Sequence, residues 1–139
     1  MSSSTQLTER LKFSEFALKR LPTGRCRAKV VLTWMEVNEF VGEAEGLVSQ
    51  AGELRCAAQA CVMALTKAVK GELKVELLGV KAVRAFDANV VIVSLSVPKE
   101  TEGQRLVGCF LTEEDPARGA ALAVLNATNR IMGNRFFMR

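Results

Sequence analysis

The sequence of 139 residues contains no histidine and no tyrosine. Without histidine it has no Ser-His-Asp or Cys-His arrangement, and it lacks the commonest general base and transition-metal ligand. It also contains no CxxC motif and no cysteine spacing typical of a zinc site. These absences favour a protein that is not an enzyme, with no catalytic residue, no metal ion and no cofactor.

Long hydrophobic segments are missing as well. The longest apolar runs, such as residues 90–93, have the length of a strand and fall far short of the roughly 20 residues that cross a bilayer. The N-terminus has no basic stretch followed by an apolar one, so no signal peptide is predicted. We therefore expect a cytoplasmic protein without membrane contact. Its cysteines lie in apolar, periodic segments and are predicted to be reduced, buried thiols: Cys26, Cys56, Cys61 and Cys109.

The net charge of +4 is unevenly distributed. Every charged residue between Val30 and Leu54 is acidic, whereas the segment before it is mainly basic. Such adjacency favours ion pairing within the protein or between subunits over a nucleic-acid footprint. Because no aromatic stacking platform accompanies the basic segment, nucleic-acid binding is a less favoured alternative. The basic residues of this segment are Arg10, Lys12, Lys19, Arg20, Arg25, Arg27 and Lys29, and the nucleic-acid alternative also uses Arg130, Arg135 and Arg139 near the C-terminus.

Four short blocks occur twice in the same order, at an interval of roughly 60 residues. Each match is weak alone, and their common order is the evidence. Two related halves closed around one core are therefore predicted. The matched blocks are residues 12–19 with 74–81, 28–31 with 88–91, 40–42 with 106–108, and 56–60 with 119–123, to which Ala64 and Ala127 add a further match.

Periodicity and turn residues predict an α+β fold of two βββα repeats, in which a mainly antiparallel sheet carries two helices on one face. Residues 12–133 form a single domain built from repeats 12–70 and 73–133. A flexible N-terminal tail, 1–11, and a C-terminal tail, 134–139, flank it. The predicted strands are 12–20, 25–35, 38–46, 73–86, 88–97 and 104–112, and the helices run from Gly52 to Lys70, ended by Gly71, and from Pro116, capped by Asp115, to an end at Gly133.

Residues 7–21 allow a second interpretation, because their leucines recur near one helical face. The repeat aligns residues 12–20 with a strand, and we favour the strand because the repeat is longer-range evidence. A helix would instead give the order α-ββ-α-βββ-α. That order suits interaction scaffolds of the roadblock/longin type, which dimerise and bind a protein partner such as a small GTPase or a motor.

The last helix carries a family resemblance. Residues 115–130, DPARGAALAVLNATNR, resemble the end of the C-terminal regulatory domain of 2-isopropylmalate synthase and its citramalate synthase relatives, where a glycine-bearing strand precedes a similar pattern. That domain is likewise an internal βββα repeat, and it dimerises. It binds a branched-chain amino acid or a related effector between its repeats and modulates a separate catalytic barrel. The resemblance implies a non-catalytic, homodimeric regulatory module that senses a small carboxylate.

In the first repeat the chain departs from that family, because residues 42–53 are longer than the glycine-rich turn there and lack its proline. Small residues before a helix still let backbone N–H groups approach a carboxylate, although the glycines could simply serve turns. The candidate effector-binding residues are Gly42, Ala44, Gly46, Gly52, Gly108, Asp115, Gly119 and Ala120. Asn126, Asn129 and Arg130 are predicted to make capping and interface hydrogen bonds rather than ligand contacts.

Overall fold

The computed structural model describes residues 11–70, 74–98 and 103–137, with side chains as far as Asn129. The fold is α+β, and the βββα pattern occurs twice, as predicted. Residues 12–20 are a strand, so the alternative helix over residues 7–21 is wrong. The elements are β1 (Lys12–Arg20), β2 (Arg25–Trp34), β3 (Asn38–Leu47), α1 (Gln50–Ala68), β4 (Glu76–Ala85), β5 (Ala88–Val97), β6 (Gln104–Thr112) and α2 (Pro116–Phe137).

The described strands form two antiparallel sheets, a first sheet of order β1-β2-β3 and a second of order β4-β5-β6. The two halves also share a β-bulge in their first strands. The register shifts between Phe13 and Glu15 in β1, and again between Leu77 and Gly79 in β4. Each bulge inserts one extra residue into the first strand of its sheet. The two halves therefore share strand order, direction and the position of their bulges.

Strand alternation directs the β-branched runs of both sheets into one core. Val30 and Leu32 are fully buried on the inner face of the first sheet, and Val93 and Leu95 are fully buried on that of the second. Helix α1 packs on β2 and β3, α2 packs on β5 and β6, and the two helices contact each other. Each helix also reaches the first strand of the other half, since α1 contacts β4 and α2 contacts β1.

Two glycines explain part of the sequence repeat. A Cβ on Gly42 would overlap the carbonyl oxygen of Ala60 and the amide nitrogen of Ala64 on α1. On the second sheet, a Cβ on Gly108 would overlap the Ala123 carbonyl oxygen and lie 2.7 Å from the Cβ of Ala127. Because a side chain at either glycine would push its helix away, glycine on the third strand and alanines on the helix recur together.

The ends of the helices differ from the sequence-based prediction. Helix α1 begins two residues before Gly52, because the Ser49 hydroxyl accepts a hydrogen bond from the Gly52 amide at 3.0 Å and caps the helix. Helix α2 continues past Gly133 to Phe137, so its predicted end is wrong. A glycine inside a helix is tolerated at a cost of about 1 kcal/mol.

Two predicted segments fall partly outside the described residues. Residues 1–10 of the predicted N-terminal tail lie outside the described residues, and its last residue, Leu11, is buried in the core. Of the predicted C-terminal tail, residues 134–137 continue helix α2. Gly71, the predicted end of α1, lies outside the described residues, and the described helix ends at Ala68.

The outer face of the first sheet is charged. Glu45 on β3 lies 2.6 Å from Nη2 of Arg27 and 3.5 Å from Nε of Arg25. The hydrogen bond and charge of Arg27, and then those of Arg25, hold the pKa of Glu45 below its ordinary value. The predicted pairing of the basic segment with the acidic one is therefore confirmed. The further pairs join Lys29 to Glu15, Lys12 to Glu36 and Arg20 to Glu53.

The outer face of the second sheet is mainly apolar. Val107 and Leu111 on β6 are 68% and 56% exposed, and Val83 and Ile92 on the neighbouring strands are partly exposed. Cys109 lies between the two β6 residues and is exposed too, so the prediction that all four cysteines are buried is wrong for it. It occupies an outward position of the strand, where an apolar sequence neighbourhood does not ensure burial.

Candidate functional site

An open cleft of about 430 Å³ lies where β3 passes into α1. It contains the loop that the sequence singled out, because Gly46 and Gly52 both line it. Cleft volumes of a few hundred Å³ are typical of small-molecule sites. The other residues of its wall are Glu45, Leu47, Ser49, Ala51, Arg55, Cys56 and Gln59.

The two glycines bring the end of β3 against the first turn of α1. A Cβ on Gly46 would lie 3.1 Å from the carbonyl oxygen of Gly52 and 3.4 Å from the Cβ of Cys56. A Cβ on Gly52 would overlap the carbonyl oxygen of Leu47 and lie 2.9 Å from the hydroxyl of Ser49. These glycines thus serve a tight approach of backbone segments, and the same approach shapes the cleft.

The first turn of α1 offers hydrogen-bond donors at this cleft. Ser49 accepts from the amides of Gly52 and Glu53, through its hydroxyl and its carbonyl respectively. The amides of Gln50 and Ala51 have no acceptor inside the helix, as is general for a first turn. One turn further on, Arg55 makes no ion pair within the described parts of the chain. Amides, guanidinium and helix dipole together suit an anion.

The remaining ionisable groups of the cleft do not oppose this. Glu45 is neutralised by its arginine partners on the outer face of the first sheet. The Cys56 thiol donates to the carbonyl oxygen of Ala44 at 3.0 Å, and burial raises its pKa to about 12. It is therefore a neutral thiol at pH 7, not a nucleophile. Ala44 thus contributes a carbonyl that holds this thiol.

A second cleft, of about 490 Å³, lies at the start of α2. Asp115 accepts a hydrogen bond from the Arg118 amide at 3.1 Å, which confirms the predicted N-cap. Arg20 of β1 lines this cleft and also binds Glu53 of α1, with Nε 3.1 Å from Oε2. Strand β1 therefore lies between the starts of the two helices. The carboxylate of Asp115 makes this second cleft the less favourable one for an anion.

Five of the candidate effector residues line neither cleft, and the first of them is Ala44, whose carbonyl is described above. Gly42 and Gly108 lie beneath their helices, as described above. Gly119 packs on the second sheet, where a Cβ would lie 3.2 Å from methyl groups of Thr112 and Val91. The fifth residue, Ala120, is fully buried.

Of the three polar residues singled out on the last helix, one makes a hydrogen bond that the structure describes. Asn126 donates from Nδ2 to the carbonyl oxygen of Cys109 at 3.2 Å and so ties α2 to β6. That contact joins a helix to a strand of the same half, and the predicted capping and interface roles stay predictions. Asn129 is half-buried, and the side chain of Arg130 lies outside the described residues.

The candidate effector residues include Gly46 and Gly52 of the first cleft but not the other seven residues of its wall. Ser49 immediately precedes the apolar-periodic run of α1, which is the usual signal for an N-cap, and this signal was available. Arg55 falls outside the apolar stripe of its helix, and Leu47 belongs to the loop over residues 42–53 without being one of the candidate residues. The cleft joins strand, loop and helix, and helical periodicity carries no information about such a junction.

The described residues contain no group of His, Cys, Asp or Glu side chains that could hold a metal ion. No helix within them is long and apolar enough to cross a membrane. No protein-family model matches the chain, and no curated protein matches it either.

Proposed function

We propose that this chain is a non-catalytic, cytoplasmic regulatory module that binds a small carboxylate in the cleft at the start of α1. The observation that carries the proposal is the position of Arg55, which lines the cleft together with the open first turn of the helix. A carboxylate there accepts hydrogen bonds from backbone amides and from the guanidinium, and charge-assisted bonds of this kind are the strong ones.

The rest of the wall favours an aliphatic ligand. Leu47, which is 62% exposed, Ala51 and Cys56 supply apolar surface beside the donors. Burial of branched aliphatic groups against such a wall is favourable by roughly 25 cal/mol per Å². We therefore propose a branched-chain amino acid or a 2-keto acid of similar size as the ligand. This agrees with the effector class that the sequence resemblance implies.

The ion pair between Arg20 and Glu53 offers a route by which binding is felt elsewhere. Glu53 belongs to the first turn of α1, and Arg20 belongs to β1 and lines the second cleft. A ligand that holds the first turn of α1 therefore also biases β1 and the start of α2. In this proposal the module acts as a homodimer, and the conformational change that the ligand favours alters the activity of a separate catalytic protein.

The two alternative functions find less support. The alternative of a roadblock/longin-type scaffold required a helix over residues 7–21, and the structure has strand β1 at Lys12–Arg20 instead. Beside Arg130, Arg135 and Arg139, whose side chains lie outside the described residues, the nucleic-acid alternative rested on basic residues that are largely engaged in ion pairs with glutamates. Those residues are Lys12, Arg20, Arg25, Arg27 and Lys29.

Thermal unfolding in the presence of candidate ligands tests the proposal. Leucine, valine, isoleucine and their 2-keto acids are added at millimolar concentration to the full chain. A ligand at a hundredfold excess over its dissociation constant stabilises the fold by about 2.7 kcal/mol, which raises the melting temperature by roughly 10 °C for a domain of this size. A panel with no shift would contradict the carboxylate site.

Arg55→Gln is the decisive variant, with Arg84→Gln as its matched control on an exposed strand position away from the cleft. Removing a charged hydrogen-bond donor weakens carboxylate binding by about 10- to 100-fold. Arg84→Gln leaves the affinity unchanged. Equal losses in both variants, measured by titration calorimetry, would show that the effect is general charge attraction rather than this cleft.

A further inference from the structure

The outer face of the second sheet combines exposure with few charges. Its strands alternate between the core and this face, where solvated antiparallel sheets normally carry polar residues. Here Ile92, Val107 and Leu111 occupy outward positions. The outer face of the first sheet is covered by ion pairs instead. Contiguous apolar surface bordered by polar residues is typical of an interaction site.

The pairing register arranges the outward residues in rows across the strands. One end row carries Glu76 on β4 and Arg105 on β6, the opposite edges of the sheet. The middle of the face is uncharged except for Lys81 at one edge. From that end, the rows are Glu76-Ser96-Arg105, Gly79-Ser94-Val107, Lys81-Ile92-Cys109 and Val83-Val90-Leu111.

This arrangement is self-complementary in charge. Consider two sheets stacked face to face about a twofold axis that runs parallel to their strands. This axis places β4 of one copy over β6 of the other, and each row of one copy lies over the same row of the other. Glu76 of one copy then faces Arg105 of the other, and the symmetry repeats the pair. Within one chain Arg105 donates instead from Nη2 to the Ser94 hydroxyl at 3.3 Å and forms no ion pair with Glu76, which lies across β5 from it.

The same axis matches shape. Gly79 leaves open space on the face, since a Cβ there would meet no atom within 4 Å. Val107, in the same row on the opposite edge, is 68% exposed. Stacking about this axis sets the Val107 side chain of each copy over the Gly79 of the other. Val83 likewise faces Leu111, and Ile92 faces its own copy.

We propose that a second copy of this chain docks face to face on the outer surface of the second sheet, about a twofold axis parallel to its strands. This inference rests on the proposed function in one respect: the proposed module is a homodimer, and the inference says which surface forms its interface. Three strands of about nine residues cover roughly 14 by 30 Å, or about 420 Å² per copy. Twice that area is below the roughly 1,200 Å² at which specific, stable interfaces begin, so we expect a weak, reversible dimer with a dissociation constant on the order of 10 µM or above.

Sedimentation of the full chain over a concentration series tests the face. The wild type passes from monomer to dimer across the micromolar range. Val107→Glu buries an unpaired charge in each half of the interface and abolishes the dimer, weakening it by about 100-fold or more. Val37→Glu makes the same change at a valine that is 80% exposed in the turn between β2 and β3, and it leaves association unchanged.

A charge exchange tests the axis. Glu76→Arg and Arg105→Glu each create two like-charge contacts, and each weakens the dimer about fivefold or more at low salt. The double variant restores opposite charges across the interface and returns the dissociation constant to within about twofold of the wild type. A double variant as weak as the single ones would overturn the axis.

Three outcomes separate this inference from the proposed effector site. A protein that stays monomeric at all concentrations, or a dimer equally insensitive to Val107→Glu and Val37→Glu, overturns the interface whether or not carboxylates bind. A dimer broken by Val107→Glu alone supports the interface. In that case an absence of thermal shift with every carboxylate would overturn the effector site and leave the interface standing.

Discussion

The two βββα halves are alike inside and different outside. Gly42 and Gly108 press against alanines of their own helices in the same way, and both sheets bury a β-branched central strand. On the outer surfaces the resemblance ends. The first sheet carries a network of ion pairs between arginine or lysine and glutamate, whereas the second exposes valine, isoleucine and leucine.

This difference shows where packing restricts the sequence. An inner position must fit the opposing helix to within a few tenths of an ångström, so both halves use the same small residues there. An outer position need only suit what covers it, either water or another surface. The repeat is therefore visible in the sequence only in blocks that include inward positions, and the outer faces can differ in chemistry.

The shared inner contact is the feature that substitution should break most severely. We expect Gly42→Ala and Gly108→Ala each to lower the free energy of unfolding by about 3 kcal/mol, because the new Cβ overlaps helix backbone. Urea unfolding followed by circular dichroism measures the loss. Gly103→Ala is the control, since its Cβ would lie 3.8 Å from the nearest atom. A neutral Gly108→Ala would refute the explanation of the repeat.

The two helix caps should behave alike in stability and differently in binding. We expect Ser49→Ala and Asp115→Ala each to cost about 1 kcal/mol of unfolding free energy. Ser49→Asp keeps a capping oxygen and hence the stability, but it places a negative charge in the first cleft and weakens carboxylate binding about tenfold. Chemical denaturation and calorimetry measure the two effects. Asp115→Ala serves as the control, because it changes only the second cleft.

The charged outer face should give the smallest and most pH-dependent effect. Because the pKa of Glu45 is lowered in the folded state, its contribution to stability is present above the ordinary value of 4.5 and is lost as the pH falls through the lowered pKa. Glu45→Gln should therefore melt slightly below the wild type at pH 7. The difference should shrink below pH 4.5, and also in high salt.

Glu43→Gln is the matched control for that comparison. Glu43 lies on the same face of β3 and makes no ion pair with the residues that the structure describes. Its substitution should leave the melting temperature unchanged at both pH values. If both variants melted alike, net charge rather than the ion pairs of Glu45 would explain the shift.

Local pattern predicted most of the elements and few of the contacts. The repeat assigned β1 correctly where leucine spacing pointed to a helix, since a strand in one half implies a strand in the other. Asp115 and Pro116 marked the start of α2 because capping depends on neighbouring residues alone. The end of α2 was misplaced at Gly133, because a glycine only weakens a helix and its neighbours decide whether the helix continues.

The structure brings some of the candidate effector residues together and separates others. Gly46 and Gly52 do line a cleft, since small residues before a helix permit close approach. Gly42, Gly108 and Ala120 were grouped with them and lie elsewhere, because a glycine under a helix and a glycine beside a ligand look alike in a sequence. Arg55 lines the cleft because of the position of α1 relative to β3. That position depends on contacts between residues distant in the chain.

The sequence predicts the order of strands and helices and the pairing of the basic segment with the acidic one. These follow from alternation, capping and charge, all of which act between neighbours or across adjacent strands. Only the tertiary structure decided that the strands divide into two sheets, that a cleft opens at the start of α1, and that Cys109 and Val107 face outward. Those features depend on how whole elements pack, and packing is a property of contacts between residues far apart in the sequence.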